Sequence, residues 1–155
     1  MSRIAVLVVA LVLAAAGTTS AQATNFSGDW KLNVTSSEFG GMPAPSSMTQ
    51  KVTHAEPSLK VVSSQVSDFG AIDSDFTFTT DGTECVNKVM DFTLKSTLKW
   101  EGPVLVINST MDFQGSPATM VDKWALSADG TQIIVSRHFE GPMGAGDGKL
   151  VFEKQ

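Results

Sequence analysis

Asp122 and Arg137 are the residues of this chain whose types and spacing most readily do chemistry. They lie on either side of Asp129-Gly130, a dipeptide that favours tight hairpins. If that turn centres an even-length loop, Leu126 faces Ile133, Trp124 faces Val135, Asp122 faces Arg137 and Met120 faces Phe139, all on one side of the sheet. A bulge at Gly130 would slip the register by one residue and set Leu126 against Gln132. The hydrophobic match favours the first register. An acid and a guanidinium set opposite each other among apolar neighbours form a cross-strand ion pair on an inner face or rim. Such a pair has two uses: it pins strand register, or it leaves Arg137 to grip the carboxylate of a bound amphiphile.

Other chemistry is sparse. His54 and His138 lack the H-x-H or H-E-x-x-H spacing of a metal site, and Cys85, the single cysteine, is grouped with neither. Two solvated histidines and no metal are expected. No G-x-S-x-G elbow occurs, and no Ser has a His and an acid at readable spacing. Asp73 and Asp75 share a strand face and could pair as acid and base, but a solvated face opposite Phe76 and Phe78 explains them with less. Gln50, Ser96 and Asn87 are the remaining polar candidates for an inner face. The segment Gly141–Gly148 lacks a following helix and a Lys-Ser or Lys-Thr pair, so it reads as a flexible connection at a rim, not a phosphate cradle. No catalytic set and no cofactor are predicted.

The elements that must position these residues are strands. Phe92, Leu94, Leu98 and Trp100 alternate with Thr93, Lys95, Thr97, Lys99 and Glu101, a half-buried strand with a wet outer face; Leu105, Ile107, Met111 and Phe113 repeat the pattern. Turn signals recur at Glu56-Pro57-Ser58, Asp81-Gly82, Glu101-Gly102-Pro103, Gly115-Ser116-Pro117 and Asp129-Gly130. They divide the chain into about ten strands: 28–35, 47–54, 58–66, 73–80, 83–90, 91–101, 103–113, 118–127, 131–140 and 148–154. Such a meander closes into a barrel or folds into a sandwich, with little helix. The turns predict that Leu98 faces Leu105, Phe92 faces Met111 and Phe78 faces Cys85. No lipid-facing apolar band accompanies the hydrophobic set, which excludes an outer-membrane barrel.

Residues 1–23 read as a Sec-type signal peptide: Arg3 supplies a positive charge, Ile4 to Gly17 is apolar or small, and Ala21-Gln22-Ala23 is a cleavage site. Cleavage after Ala23 leaves residues 24–155 as one domain, periplasmic or secreted. The apolar run is shorter than the roughly 20 residues of a membrane span, and no integral membrane segment is predicted. Of the 11 basic residues Arg3 leaves with the leader, so 10 face 16 acidic ones. That balance disfavours nucleic acid and anionic lipid surfaces as partners. Cys85 alone makes no intramolecular disulfide and reads as a small, buried hydrophobe. Sequons at Asn25, Asn33 and Asn108 matter only in a eukaryotic secretory pathway, and the leader looks bacterial.

Phe26-Ser27-Gly28-Asp29-Trp30-Lys31-Leu32, an F-x-G-x-W-K-L opening, resembles the start of calycin barrels, the fatty-acid-binding proteins and lipocalins. The chain is also similar to small exported lipocalin-like proteins of bacteria. The resemblance implies an antiparallel calycin-like barrel in which Trp30 plugs one end and Gly28 lets the entering chain pass close to it. It further implies that Arg137 lies against the Trp30 indole, as the late-strand Arg does in lipocalins. Fatty-acid-binding proteins hold a head group with a late R-x-Tyr pair; Arg137-His138-Phe139 keeps the Arg and replaces the Tyr with Phe. They also insert a two-helix lid after the first strand. Ser37-Glu38-Phe39 is similar to its entry, but Gly40-Gly41-Met42-Pro43-Ala44-Pro45 is too short and too rich in Gly and Pro to build it.

Three function classes follow. The favoured one is a binding module that holds a small apolar or amphipathic ligand, with Arg137, Asp122, Phe76, Phe78, Phe92, Trp100, Met111, Phe113 and Trp124 as candidate ligand-binding residues. The second is a structural or interaction protein of the cell envelope whose barrel is filled by the same side chains. An enzyme is the third and weakest.

Overall fold

The computed structural model describes residues 24–68, 70–142 and 144–155. The signal peptide predicted over residues 1–23 lies outside them. The described chain is almost entirely strand: β1 (Gly28–Leu32), β2 (Ser47–Ala55), β3 (Ser58–Ser67), β4 (Gly70–Thr79), β5 (Cys85–Val89), β6 (Phe92–Glu101), β7 (Val104–Phe113), β8 (Ser116–Leu126), β9 (Gln132–Gly141) and β10 (Gly144–Lys154). Its one described helical element is a single 3-10 turn, Val34–Ser36, capped by the Asn33 side chain. One sheet runs β4-β3-β2-β1-β10-β9-β8-β7-β6-β5, antiparallel throughout. From β2 on, every strand but β5 pairs with the strand before it, and the sheet curls round because β1 meets β10, with Trp30 opposite Lys154 and Leu32 opposite Phe152. The result is the expected meander barrel of ten strands.

Closure is incomplete at one seam. β4 and β5 are the two edges of the sheet, and the pairing of Phe78 with Cys85 expected across Asp81-Gly82 does not form. Side chains occupy the gap instead. The Asn87 carboxamide accepts from Thr77 N at 2.9 Å and donates to Thr77 O at 3.1 Å, and Thr79 N donates to Cys85 Sγ at 3.2 Å. An amide side chain inserted between two strands holds their backbones farther apart than the roughly 4.8 Å of a ladder, while still satisfying the edge. Cys85 is accordingly half-buried at this seam, against the edge of the core, and not sealed within it.

Register elsewhere follows the turns. A four-residue loop centred on Asp129-Gly130 sets Leu126 opposite Ile133, Trp124 opposite Val135, Asp122 opposite Arg137 and Met120 opposite Phe139, as expected. The Asp129 carboxylate stitches the loop by accepting from Ser127 Oγ, Thr131 N and Thr131 Oγ1, which lower its pKa to about 2. Between β6 and β7 the register differs: Leu98 faces Ile107 and Leu94 faces Met111, not Leu105 and Phe92 as expected. The hairpin loop is Gly102-Pro103, with Gly102 at φ +60°, because Pro103 has no N–H to give the ladder and Gly102 accepts the left-handed backbone. The slip is two residues, so every side chain keeps its face.

Inward residues at one end form a sealed core. Phe26, Trp30, Leu59, Leu98, Leu105, Ile133 and Phe152 are fully buried. The Phe26 ring lies parallel to Trp100 (centroids 5.8 Å apart), meets the Trp124 ring edge-on at 5.7 Å, and stacks with His54 at 5.9 Å. In the opening segment the Trp30 indole N–H donates to Phe26 O at 2.9 Å, and a Cβ on Gly28 (φ +147°) would meet Lys154 Cε at 3.3 Å and the indole nitrogen at 3.5 Å. The cation over the Trp30 ring, however, is Lys154, 5.6 Å from its centroid, not Arg137, whose guanidinium is held by Asp122.

At the other end the segment between β1 and β2 replaces a helical lid with a strap. Glu38 pairs with Lys149 through two backbone hydrogen bonds (2.7 and 2.8 Å), and the strap crosses the inner face of β10. That face is bare because Gly144, Gly146 and Gly148 alternate along it, so Gly144 to Gly148 are a laddered part of β10 cut to receive the strap, and not the flexible connection expected. Gly148 lies opposite Arg137 and Gly146 opposite Phe139. A Cβ on Gly146 would fall 2.1 Å from Gly40 O. We expect Gly146→Ala to cost about 1–3 kcal/mol and to loosen the strap, measured by thermal melts and by amide exchange at Glu38 and Lys149. Unchanged protection there would mean that β10 absorbs the added methyl without moving the strap.

Candidate functional site

Asp122 and Arg137 form a bidentate pair in the barrel interior. Arg137 Nε donates to Asp122 Oδ1 and Nη2 to Oδ2, each at 2.7 Å. Asp122 is buried, whereas the Arg137 side chain keeps 29% exposure toward the mouth. Burial alone would weaken the guanidinium charge; Asp122 outweighs it through its charge and hydrogen bonds, and the Arg137 pKa is raised.

The pair opens onto an interior cavity of about 320 Å³. Of the candidate residues, Arg137, Asp122, Phe76, Phe78, Met111 and Trp124 line it. The other three do not. Phe92 and Phe113 pack against each other at a tilt (centroids 4.7 Å apart, planes at 51°) beside the turns that end β5 and β7. Trp100 belongs to the sealed end, where it stacks on Phe26 and donates to Glu56 Oε1 at 2.8 Å. Inward-facing position alone selected all nine, and height along the barrel separates lining from plug. Residues not singled out complete the wall: Met42 from the strap, Met48, Val61, Gln65, Ile107 and Met120 among them, together with Gln50. Their parity on strands paired to Asp122 and Phe76 was the signal available for Val61, Ile107 and Met120. A smaller recess of about 80 Å³ separates Arg137 from Phe39, Met42 and Pro45 under the strap.

Between them the walls supply an apolar body with a few polar groups. Ser109 Oγ lies 2.8 Å from Ser96 Oγ, so this pair satisfies itself. Among the described residues, two buried side-chain atoms lack a hydrogen-bond partner, Gln50 Oε1 and Trp124 Nε1, and both residues line the cavity.

The histidines part company. His138 is half-exposed and meets Asp147 at 2.7 Å. His54 is not solvated as expected but buried: its Nδ1 accepts from Phe26 N at 3.2 Å, which assigns the proton to Nε2, and Nε2 donates to Glu56 Oε1 at 2.8 Å. Glu56, two residues on, was within local reach of His54, but nothing in the spacing placed Phe26, 28 residues earlier, against its Nδ1. Burial works against the Glu56 charge, but hydrogen bonds from Thr80, His54 and Trp100 outweigh it and hold its pKa below the ordinary 4.5. A carboxylate with a depressed folded pKa contributes stability that is complete above its unfolded value and is lost as pH falls through the folded one. Glu56→Gln should therefore flatten the fall of Tm between about pH 5 and pH 3. Parallel acid profiles for the variant and the parent would show that Glu56 does not titrate with folding.

No family model matches the chain, and no curated protein matches it. Among solved structures, it is similar to the zebrafish ileal bile acid-binding protein complexed with cholic acid, with a TM-score of 0.53 and 15% identity over 84% of this chain and 98% of that one. At that identity the likeness is one of fold: the chain has a calycin-type barrel, ten antiparallel strands nearly closed around an interior.

Proposed function

We propose that the protein is an exported binding barrel, with residues 24–155 as its single mature domain, that holds a small apolar or amphipathic molecule noncovalently. The observation that carries this reading is the unfilled interior. A cavity of about 320 Å³ lies at the lower end of the ~300–1,000 Å³ typical of small-molecule sites. Its walls are mainly Met, Phe, Val, Leu and Ile, which supply affinity without direction, and its few polar groups supply orientation. The fold neighbour's complex with cholic acid supports a small ligand of this kind. The ligand-binding roles belong to Arg137, Asp122, Phe76, Phe78, Met111 and Trp124, and no catalytic role is assigned.

Purification from the native compartment followed by native mass spectrometry is expected to show a co-purifying mass, and a fluorescent apolar probe is expected to bind saturably. No bound mass and no saturable probe binding would leave the alternative, an envelope structural or interaction protein without a ligand.

A further inference from the structure

The charges and the unpartnered atoms of the cavity together specify the polar part of its ligand. Among the described residues, Asp122 and Arg137 are the only charged side chains in the lining, and they neutralise each other through two hydrogen bonds of 2.7 Å. A carboxylate entering the cavity would lose its hydration and meet a neutral pair with Asp122 repelling it. Arg137 is therefore a poor trap for an acid as long as Asp122 holds it.

Gln50 and Trp124 call for something else. Gln50 is 9% and Trp124 6% exposed, and Gln50 Oε1 and Trp124 Nε1 have no partner. An indole N–H only donates, and an amide oxygen only accepts. A hydroxyl answers both, since its oxygen accepts and its O–H donates. Both protein atoms are enclosed in the wall, so meeting a ligand requires the Gln50 carboxamide, whose terminal torsion is broad, to turn toward the cavity. The remaining polar lining, Ser63, Gln65, Ser74 and Ser109, is uncharged.

We propose that the barrel selects an uncharged lipid alcohol, whose hydroxyl accepts from Trp124 Nε1–H and donates to Gln50 Oε1, over the corresponding carboxylate. This rests on the reading of the protein as a ligand-binding barrel. A site built to satisfy buried donors and acceptors discriminates against ligands that leave them unpaired.

The three indole groups provide the readout. Trp30 Nε1 donates to Phe26 O and Trp100 Nε1 to Glu56 Oε1, so only the Trp124 N–H is free to gain a bond. The ¹⁵N-labelled protein is titrated at neutral pH with 1-decanol and with decanoate, the Trp124 signal being assigned by Trp124→Phe, and affinities are measured by displacement of a fluorescent apolar probe. We expect 1-decanol to bind at least about tenfold more tightly than decanoate and to move the Trp124 indole proton downfield. Trp124→Phe and Gln50→Met should each erode the alcohol's advantage, and Asp122→Asn, by releasing Arg137, should raise decanoate affinity. Decanoate binding as tightly as 1-decanol, or alcohol binding with the Trp124 proton unmoved, overturns the assignment while leaving the binding barrel intact. If the probe itself fails to saturate, the binding reading falls, and this inference with it.

Discussion

Replacing Arg137 with Ala should lower the stability of the barrel by about 3–5 kcal/mol. The cause is less the loss of a favourable pair than what remains: Asp122, buried and accepting two hydrogen bonds of 2.7 Å, would be left with no cation to answer it. Because Arg137 retains 29% exposure toward the mouth, water can partly replace it, and the lower end of that range is expected. Removing Asp122 as well deletes the stranded charge, so Asp122→Ala/Arg137→Ala should be more stable than Arg137→Ala alone and far from the sum of the two single losses. Urea denaturation of the four proteins at neutral pH measures this. Additive losses would show that the two groups, though in contact, are not energetically coupled.

That pair was legible because a hairpin turns sequence arithmetic into contacts. Asp129-Gly130 names its own turn, and a run of matched apolar residues on both sides leaves one register that buries them together. Gly102-Pro103 was harder to read because Glu101-Gly102 offers a turn signal one position earlier; the resulting two-residue slip kept every face, and so the inner set survived the error. The β4–β5 seam was not legible at all. Asp81-Gly82 looks like any other hairpin signal, and nothing local to it reveals that Asn87 would place its carboxamide between the strands.

The interior shows the same division. Period-two alternation says which side chains point inward but not how far along the barrel each lies, so Phe76, Phe78, Met111 and Trp124 could not be told from Trp100, Phe92 and Phe113 until the strands were stacked. The glycines of β10 were misread for a related reason. Alternating Gly residues look like slack, yet on a strand they strip one face of side chains, and that bare face is what lets the strap lie against backbone at Gly146 and Gly148. His54 illustrates the limit most sharply, since Phe26, 28 residues earlier, meets its Nδ1 only in the folded barrel, although Glu56 stands just two residues on.

Trp30→Ala should destabilise the protein by about 3–5 kcal/mol and leave the affinity of the folded barrel for an apolar probe close to that of the parent. Trp30 is 1% exposed at the sealed end, where β1 joins β2 to β10. Its indole fills the space between Phe26 and the strands that close the sheet, so truncation leaves a cavity that the surrounding ladder cannot collapse to fill. It also orphans the Phe26 carbonyl, which accepts the indole N–H at 2.9 Å, and frees the Lys154 ammonium that lies over the ring. Trp30 itself does not line the cavity. Denaturant melts measure the first effect; probe titration at low denaturant, where both proteins are folded, measures the second. Full stability with lost probe binding would move Trp30 from plug to ligand site, and with it the line drawn between the sealed end of this barrel and its open interior.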